Sequence, residues 1–141
     1  MDEKVKKSGD VESQTKRRAV IVDDDPEVGR ILHLLLKPRF ETHIALRGDT
    51  GLELIREIKP HLAVLDLVLP SIDGMTLCEM IKSDDELKDT QVLIVTATTR
   101  HSDLPDTFWK LGTSADGFLS KPFLPEEVQK TIMQMIPQMK S

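Results

Sequence analysis

From Ala19 to Ile136 the chain alternates between short runs that are apolar almost throughout and longer stretches in which apolar residues recur every three or four positions. "AVIV" (19–22), "LAVLD" (62–66) and "QVLIVTA" (91–97) belong to the first kind. A strand reads this way when both its faces are covered, as in a parallel sheet. "ETHIAL" (41–46) is a shorter, partly alternating strand, and "DGFLSK" (116–121) is a fifth. The intervening stretches have helical spacing. Val28, Ile31, Leu32 and Leu35 lie between Pro26 at a helix start and Pro38 near its end; Leu54, Ile55 and Ile58 precede Pro60. Leu77, Cys78 and Ile81 follow the turn "SIDG". Leu104, Phe108 and Leu111 mark a fourth helix, and Val128, Ile132, Met135 and Ile136 a fifth.

Five strand–helix units in succession predict an α/β fold, a doubly wound five-stranded parallel sheet with right-handed crossovers and helices on both faces. In such sheets ligands bind beyond the carboxyl ends of the strands, at the switch point in strand order.

Composition narrows this picture without changing it. The chain has 141 residues, 39% hydrophobic and 30% charged, which suits one soluble domain with a real core. Residues 1–17 are polar and mixed in charge, too poor in large apolar side chains to order themselves. They read as a disordered tail, with the domain over 18–139; the basic cluster Lys16-Arg17-Arg18 reads as a solubilising lead-in. A net charge of −5 argues against a protein built mainly to grip nucleic acid or an anionic membrane. No apolar run approaches the roughly 18 residues needed to span a bilayer, and the first residues lack the apolar centre of a signal peptide. The single cysteine, Cys78, excludes an internal disulfide and suits a reducing compartment, so a cytoplasmic protein is expected. Cys78 is expected in the core. His33, His43, His61 and His101 show no metal-site spacing, and packing roles are expected for Trp109, Met133, Met135 and Met139.

The chemistry should follow the strands. Asp23, Asp24 and Asp25 come after the first, Asp66 after the third, Thr96 and Ala97 at the end of the fourth, and Lys121 then Pro122 after the fifth. Several carboxylates, a hydroxyl and an ammonium on one rim suit a phosphoryl group beside a hard divalent cation. Mg²⁺ takes oxygen ligands and keeps several waters, so one or two carboxylates and a carbonyl suffice. A carboxylate can attack phosphorus to give an acyl phosphate, while lysine and hydroxyl neutralise and bond the equatorial oxygens. Asp25, next to Pro26, reads as a helix N-cap.

"VDDDP", "VLDLVLPSIDG", "VLIVTA" and "FLSKPF", in this order and each at a strand end, resemble the receiver domain of bacterial two-component response regulators, over about Arg18 to Met139. The resemblance implies a flavodoxin-like, chemotaxis-type (βα)5 sheet of strand order 2-1-3-4-5. It implies that Asp66 is the phosphoacceptor, served by a sensor histidine kinase, a phosphotransfer protein or a small phosphodonor. It implies Mg²⁺ held by Asp24 directly, by Asp23 mainly through water, by Asp66, and by the Val68 backbone carbonyl. Thr96 is the implied switch hydroxyl with the Ala97 amide beside it, Lys121 the phosphoryl-pairing lysine with a cis bond to Pro122, and Phe118 the aromatic switch. The implied output is a contact with a downstream protein through the fourth helix, fifth strand and fifth helix, with a phosphorylation-dependent dimer as one form it could take. No direct contact with nucleic acid or membrane is expected. With the last helix ending near Met135 or Ile136, no output domain is expected to follow within the chain.

Three departures stand out. "LGTSADG" places Ser114 where the family usually has glycine, Phe118 has no hydroxyl, and neither Val68 nor Thr98 offers a carboxamide or carboxylate to position an attacking water. The last predicts a long-lived phosphorylated form, because hydrolysis needs an oriented water. Two other readings compete. In a haloacid-dehalogenase-type phosphohydrolase, Asp23 would be nucleophile and Asp25 acid, but Glu126 and Glu127 begin a helix instead of supplying the late metal site, and Asp66 has no task. A receiver-like adaptor would work without phosphorylation.

Overall fold

The computed structural model describes residues 16–97 and 114–136. Their elements run β1 (Arg17–Val22), α1 (Pro26–Leu36), β2 (Phe40–Ala45), α2 (Gly48–Ile58), β3 (Leu62–Leu65), α3 (Gly74–Lys82), β4 (Gln91–Thr96), β5 (Gly117–Ser120) and α4 (Pro125–Met135). α4 is the helix predicted as the fifth. The helix predicted around Leu104, Phe108 and Leu111, with Thr98, His101, Trp109, Met139 and most of the polar tail, lies outside the described residues.

All five strands are parallel, in the order β2-β1-β3-β4-β5, the flavodoxin-like arrangement expected. Alternate residues of β1 serve opposite faces, which is why "AVIV" is apolar throughout. Val20 and Val22 pack with Leu52 and Ile55 of α2 and Leu77, Cys78 and Ile81 of α3; Ala19 and Ile21 pack with Leu32 and Leu36 of α1 and Val128 and Ile132 of α4. Cys78 is buried, as expected, and Met133 and Met135 pack at the edge of the second layer.

Element ends differ slightly from the sequence pattern. β1 starts at Arg17, because Arg17 and Arg18 pair through backbone with Phe40 and Glu41 and need no apolar side chain to do so. β2 begins one residue early at Phe40, a fully buried ring. β3 stops at Leu65, although the Asp66 amide still donates to the Val22 carbonyl at 3.0 Å. β5 occupies Gly117–Ser120, inside the 116–121 expected.

The three described histidines make ordinary contacts. His33 bonds the Thr42 hydroxyl, His43 the Glu41 carboxylate, and His61 Nδ1 accepts from the Arg18 amide. No helix among the described residues is long and apolar enough to cross a membrane.

Candidate functional site: an acidic rim with one ammonium

β1 and β3 lie side by side at the switch point, so the residues that follow them converge. The Asp23 amide donates to the Ala45 carbonyl at 3.1 Å, and Asp66 is tied to Val22 as above. Both carboxylates are nearly covered, at 2% and 7% exposure, whereas Asp24 is exposed. Oxygens from Asp23, Asp24 and Asp66 lie within 4.8 Å of one another, the one such metal-competent cluster among the described residues.

Lys121 reaches this cluster from the far side of the sheet. Its amide donates to the Thr96 carbonyl at 3.1 Å, extending the β4–β5 ladder by one rung. Its Nζ then donates to Asp23 Oδ2 and to Asp66 Oδ2, at 2.8 Å each. The Lys121–Pro122 bond is cis. The remaining carboxylate oxygens are held by backbone: Asp23 Oδ1 accepts from the Asp25 amide at 2.9 Å, and Asp66 Oδ1 from the Val68 amide at 3.2 Å.

These contacts do not balance the charge. Burial pushes the Asp23 carboxyl above its ordinary value, and the Asp66 charge adds to this, against the lowering effect of Lys121 and the Asp25 amide. Burial alone would lower Lys121, but its hydrogen bonds to Asp23 and Asp66 outweigh that and raise it, so the ammonium stays charged. Among the described residues three carboxylates converge beside one ammonium, which pairs with two of them, an excess of negative charge at the rim. A hard divalent cation has the charge, and these oxygens the chemistry, to complete the set.

Asp25 stands apart from its neighbours, as expected. It is the N-cap of α1, its Oδ1 accepting from the Glu27 amide at 3.0 Å with Pro26 in the first turn. A carboxylate engaged this way is not placed as the acid that a phosphohydrolase would need.

Other predicted residues sit nearby with less contact. Thr96 ends β4, 2% exposed, on the face shared with Val92 and Ile94. Phe118 is half-buried against the α2–α3 layer. The Val68 side chain is 62% exposed. Ala97 borders an apolar cavity of about 320 Å³ whose walls include Val28, Ile31, Phe123 and Pro125, with Lys121 at its rim. Sequence reasoning missed this cavity, although Ile31, apolar on the outer face of α1 and 44% exposed, was a signal.

Gly74 was also missed as a site residue. A Cβ there would lie 2.1 Å from the Asp66 carbonyl oxygen, so only glycine lets α3 start directly behind the acceptor candidate. Its amide donates to the Leu67 carbonyl at 2.8 Å, and Asp73 caps α3 through the Thr76 amide.

A five-stranded 2-1-3-4-5 sheet with an acidic cluster and a lysine at its switch point defines a signalling receiver. The chain belongs to the response regulator receiver domain family, whose model matches residues 19–133. It is 32% identical over 114 residues to the DNA-binding response regulator MtrA of Mycolicibacterium smegmatis, covering 80% of this chain and 47% of that one. The chain thus spans about half the length of the curated relatives it matches. Among solved structures it resembles a response regulator receiver domain protein from Methanospirillum hungatei, with 26% identity, a TM-score of 0.74 and coverage of 89% of this chain and 98% of that one. The receiver domain of a sensor histidine kinase from Pseudomonas aeruginosa has the same fold, at 18% identity and a TM-score of 0.75 over 86% and 98% of the two chains; that protein holds a magnesium ion in its active-site cleft. The chain is a receiver-type signalling module.

Proposed function

We propose that Asp66 accepts a phosphoryl group from a histidine kinase, a phosphotransfer protein or a small phosphodonor. One carboxylate oxygen of Asp66 forms a bond to phosphorus as the donor's leaving group departs, giving an acyl phosphate. Mg²⁺, when bound, supplies the positive charge that lets an anionic donor approach an acidic rim. Asp24, Asp66 and the Val68 carbonyl would hold it, with Asp23 acting mainly through water. Lys121 exchanges its bond to Asp66 for the phosphoryl oxygens, and the Thr96 hydroxyl and Ala97 amide donate to them. Phe118, next to β4 in the ladder, carries the change to the protein-binding face that includes β5 and α4.

The single observation behind this reading is the charge deficit among the described residues: three converging carboxylates against one ammonium that already bridges Asp23 and Asp66. The domain acts on no substrate but its own phosphoryl group. Its partners are the phosphodonor protein and a downstream protein in the cytoplasm, or a second phosphorylated copy of the chain in a dimer. A net charge of −5 supports no nucleic-acid contact by the receiver itself. The test is labelling with acetyl phosphate and Mg²⁺, comparing wild type with Asp66→Ala. Label on wild type alone supports the assignment, and equal labelling of the two proteins overturns it.

A further inference from the structure

The loop from Leu67 to Asp73 carries the Val68 carbonyl, and it is strained. Ser71 has φ of 78°, a left-handed conformation uncommon for a residue with a Cβ, and the Ile72 amide turns back onto the Pro70 carbonyl at 3.0 Å. Such strain persists only where the surroundings over-determine it. Here the surroundings are the first turn of α2, a helix whose N-cap, Arg47, makes no side-chain cap. The Gly48 amide, which would otherwise lack an intrahelical partner, donates to the same Pro70 carbonyl at 3.0 Å. The Ile72 carbonyl oxygen lies where a Gly48 Cβ would be, at 1.9 Å, so backbone rests on backbone. Asp49 is gripped by Arg47 at 3.0 and 3.3 Å, which holds its carboxyl below the usual range, and the Ser71 side chain lies near enough to add to the effect.

We infer that Gly48, Asp49 and Ser71 are positioning residues for the cation site: the first turn of α2 clamps the Pro70–Ile72 turn and thereby sets the Val68 carbonyl. The inference rests on the Mg²⁺ assignment proposed above. Ligand-supporting contacts of this kind change metal affinity by about 10- to 100-fold when lost, because a displaced ligand must be reordered at each binding event.

The experiment is Mg²⁺ titration by calorimetry, with thermal unfolding of each metal-free variant measured beside it. Gly48→Ala, which must push Ile72 away, should weaken Mg²⁺ binding by about tenfold or more. Ser71→Ala keeps the net charge, alters only an exposed side chain, and should weaken binding several-fold. Asp49→Asn should do the same, and the Asp49→Asn/Ser71→Ala pair should fall short of the product of the two single effects, as expected of neighbours acting on one loop. Asp85→Asn removes a carboxylate at the opposite end of the sheet and should leave affinity unchanged. Variants that melt earlier yet bind Mg²⁺ within twofold of wild type would overturn the clamp and leave the site assignment intact. A wild type that binds no Mg²⁺ would overturn both. If Gly48→Ala does not fold, Ser71→Ala decides the matter alone.

Discussion

The two ends of the sheet use the same ion pair for opposite purposes. At the amino-terminal end, Lys82 of α3 meets Asp116 at 2.8 Å, just as Lys121 meets Asp66 at the carboxyl end. At the amino end the chemistry is complete. Lys82 also donates to the carbonyls of Thr90 and Lys88, Asp116 Oδ2 accepts from the Val92 amide, and the Thr90 hydroxyl donates to the Pro60 carbonyl at 2.7 Å. One carboxylate answers one ammonium, and backbone groups take the remaining capacity. At the carboxyl end, among the described residues, three carboxylates converge beside one ammonium. The amino end pins α3, β4 and β5 together, while the carboxyl end holds an electrostatic debt that a cation and a phosphoryl group can settle. Stability and function are divided between the rims of one sheet.

Breaking the amino end should cost folding energy alone. Asp116→Ala removes the carboxylate facing Lys82 and the acceptor of the Val92 amide, so chemical denaturation should show a loss of about 2–3 kcal/mol. Mg²⁺ affinity should stay at the wild-type value, measured by calorimetry on the folded variant. A marked fall in affinity would mean the rims are not independent.

Breaking the carboxyl end should do the reverse. Asp24→Asn removes one repelling charge from an exposed position, so metal-free stability should hold or rise by about 0.5 kcal/mol, while Mg²⁺ affinity falls by about tenfold. A metal-free protein clearly destabilised by this change would contradict the charge deficit.

A smaller effect sharpens what happens after phosphorylation. The exposed Val68 side chain offers no group to orient water, so Val68→Asn should speed dephosphorylation several-fold, followed as loss of acid-labile phosphate. An unchanged rate would remove Val68 as the cause of a long-lived phosphorylated form.

The smallest effect is a pH dependence at the amino end. Burial holds His61 below its ordinary pKa of 6.5, helped by the nearby charges of Arg17 and Arg18; the Arg18 amide also needs the Nδ1 lone pair. A histidine whose pKa is lowered on folding binds fewer protons in the folded state. Its contribution to stability is therefore fully present above pH 6.5 and declines as the pH falls below it. Denaturation midpoints of wild type and His61→Gln should diverge less at pH 5 than at pH 7.5; a constant difference would remove His61 as the cause.

The same contrast explains what could be read from the chain alone. The functional rim was legible because a parallel strand ends abruptly: an apolar run followed at once by Asp, Thr or Lys marks a carboxyl end, and all such ends share one rim. Gly74 was half-legible, as the glycine of "SIDG" signals a turn but not the carbonyl behind it. The amino rim was not legible. Lys82 lies at a helix end, where a lysine reads as solvated, and nothing local links it to Asp116, which is 34 positions away. The clamp on the Val68 loop was hidden for another reason: serine is not a signal for positive φ, and the approach of Gly48 to Ile72 exists only after α2 and β3 are packed. Pattern reports periodicity along the chain; these contacts depend on distances across it.

Peptide mapping by mass spectrometry after acetyl phosphate treatment, with Mg²⁺ and with a chelator in its place, decides whether Asp66 is the acceptor. One phosphorylated carboxylate is expected, Asp66, modified with Mg²⁺ and scarcely without it. Phosphate on Asp23 instead, or equal modification of Asp66 in the presence of chelator, would contradict it.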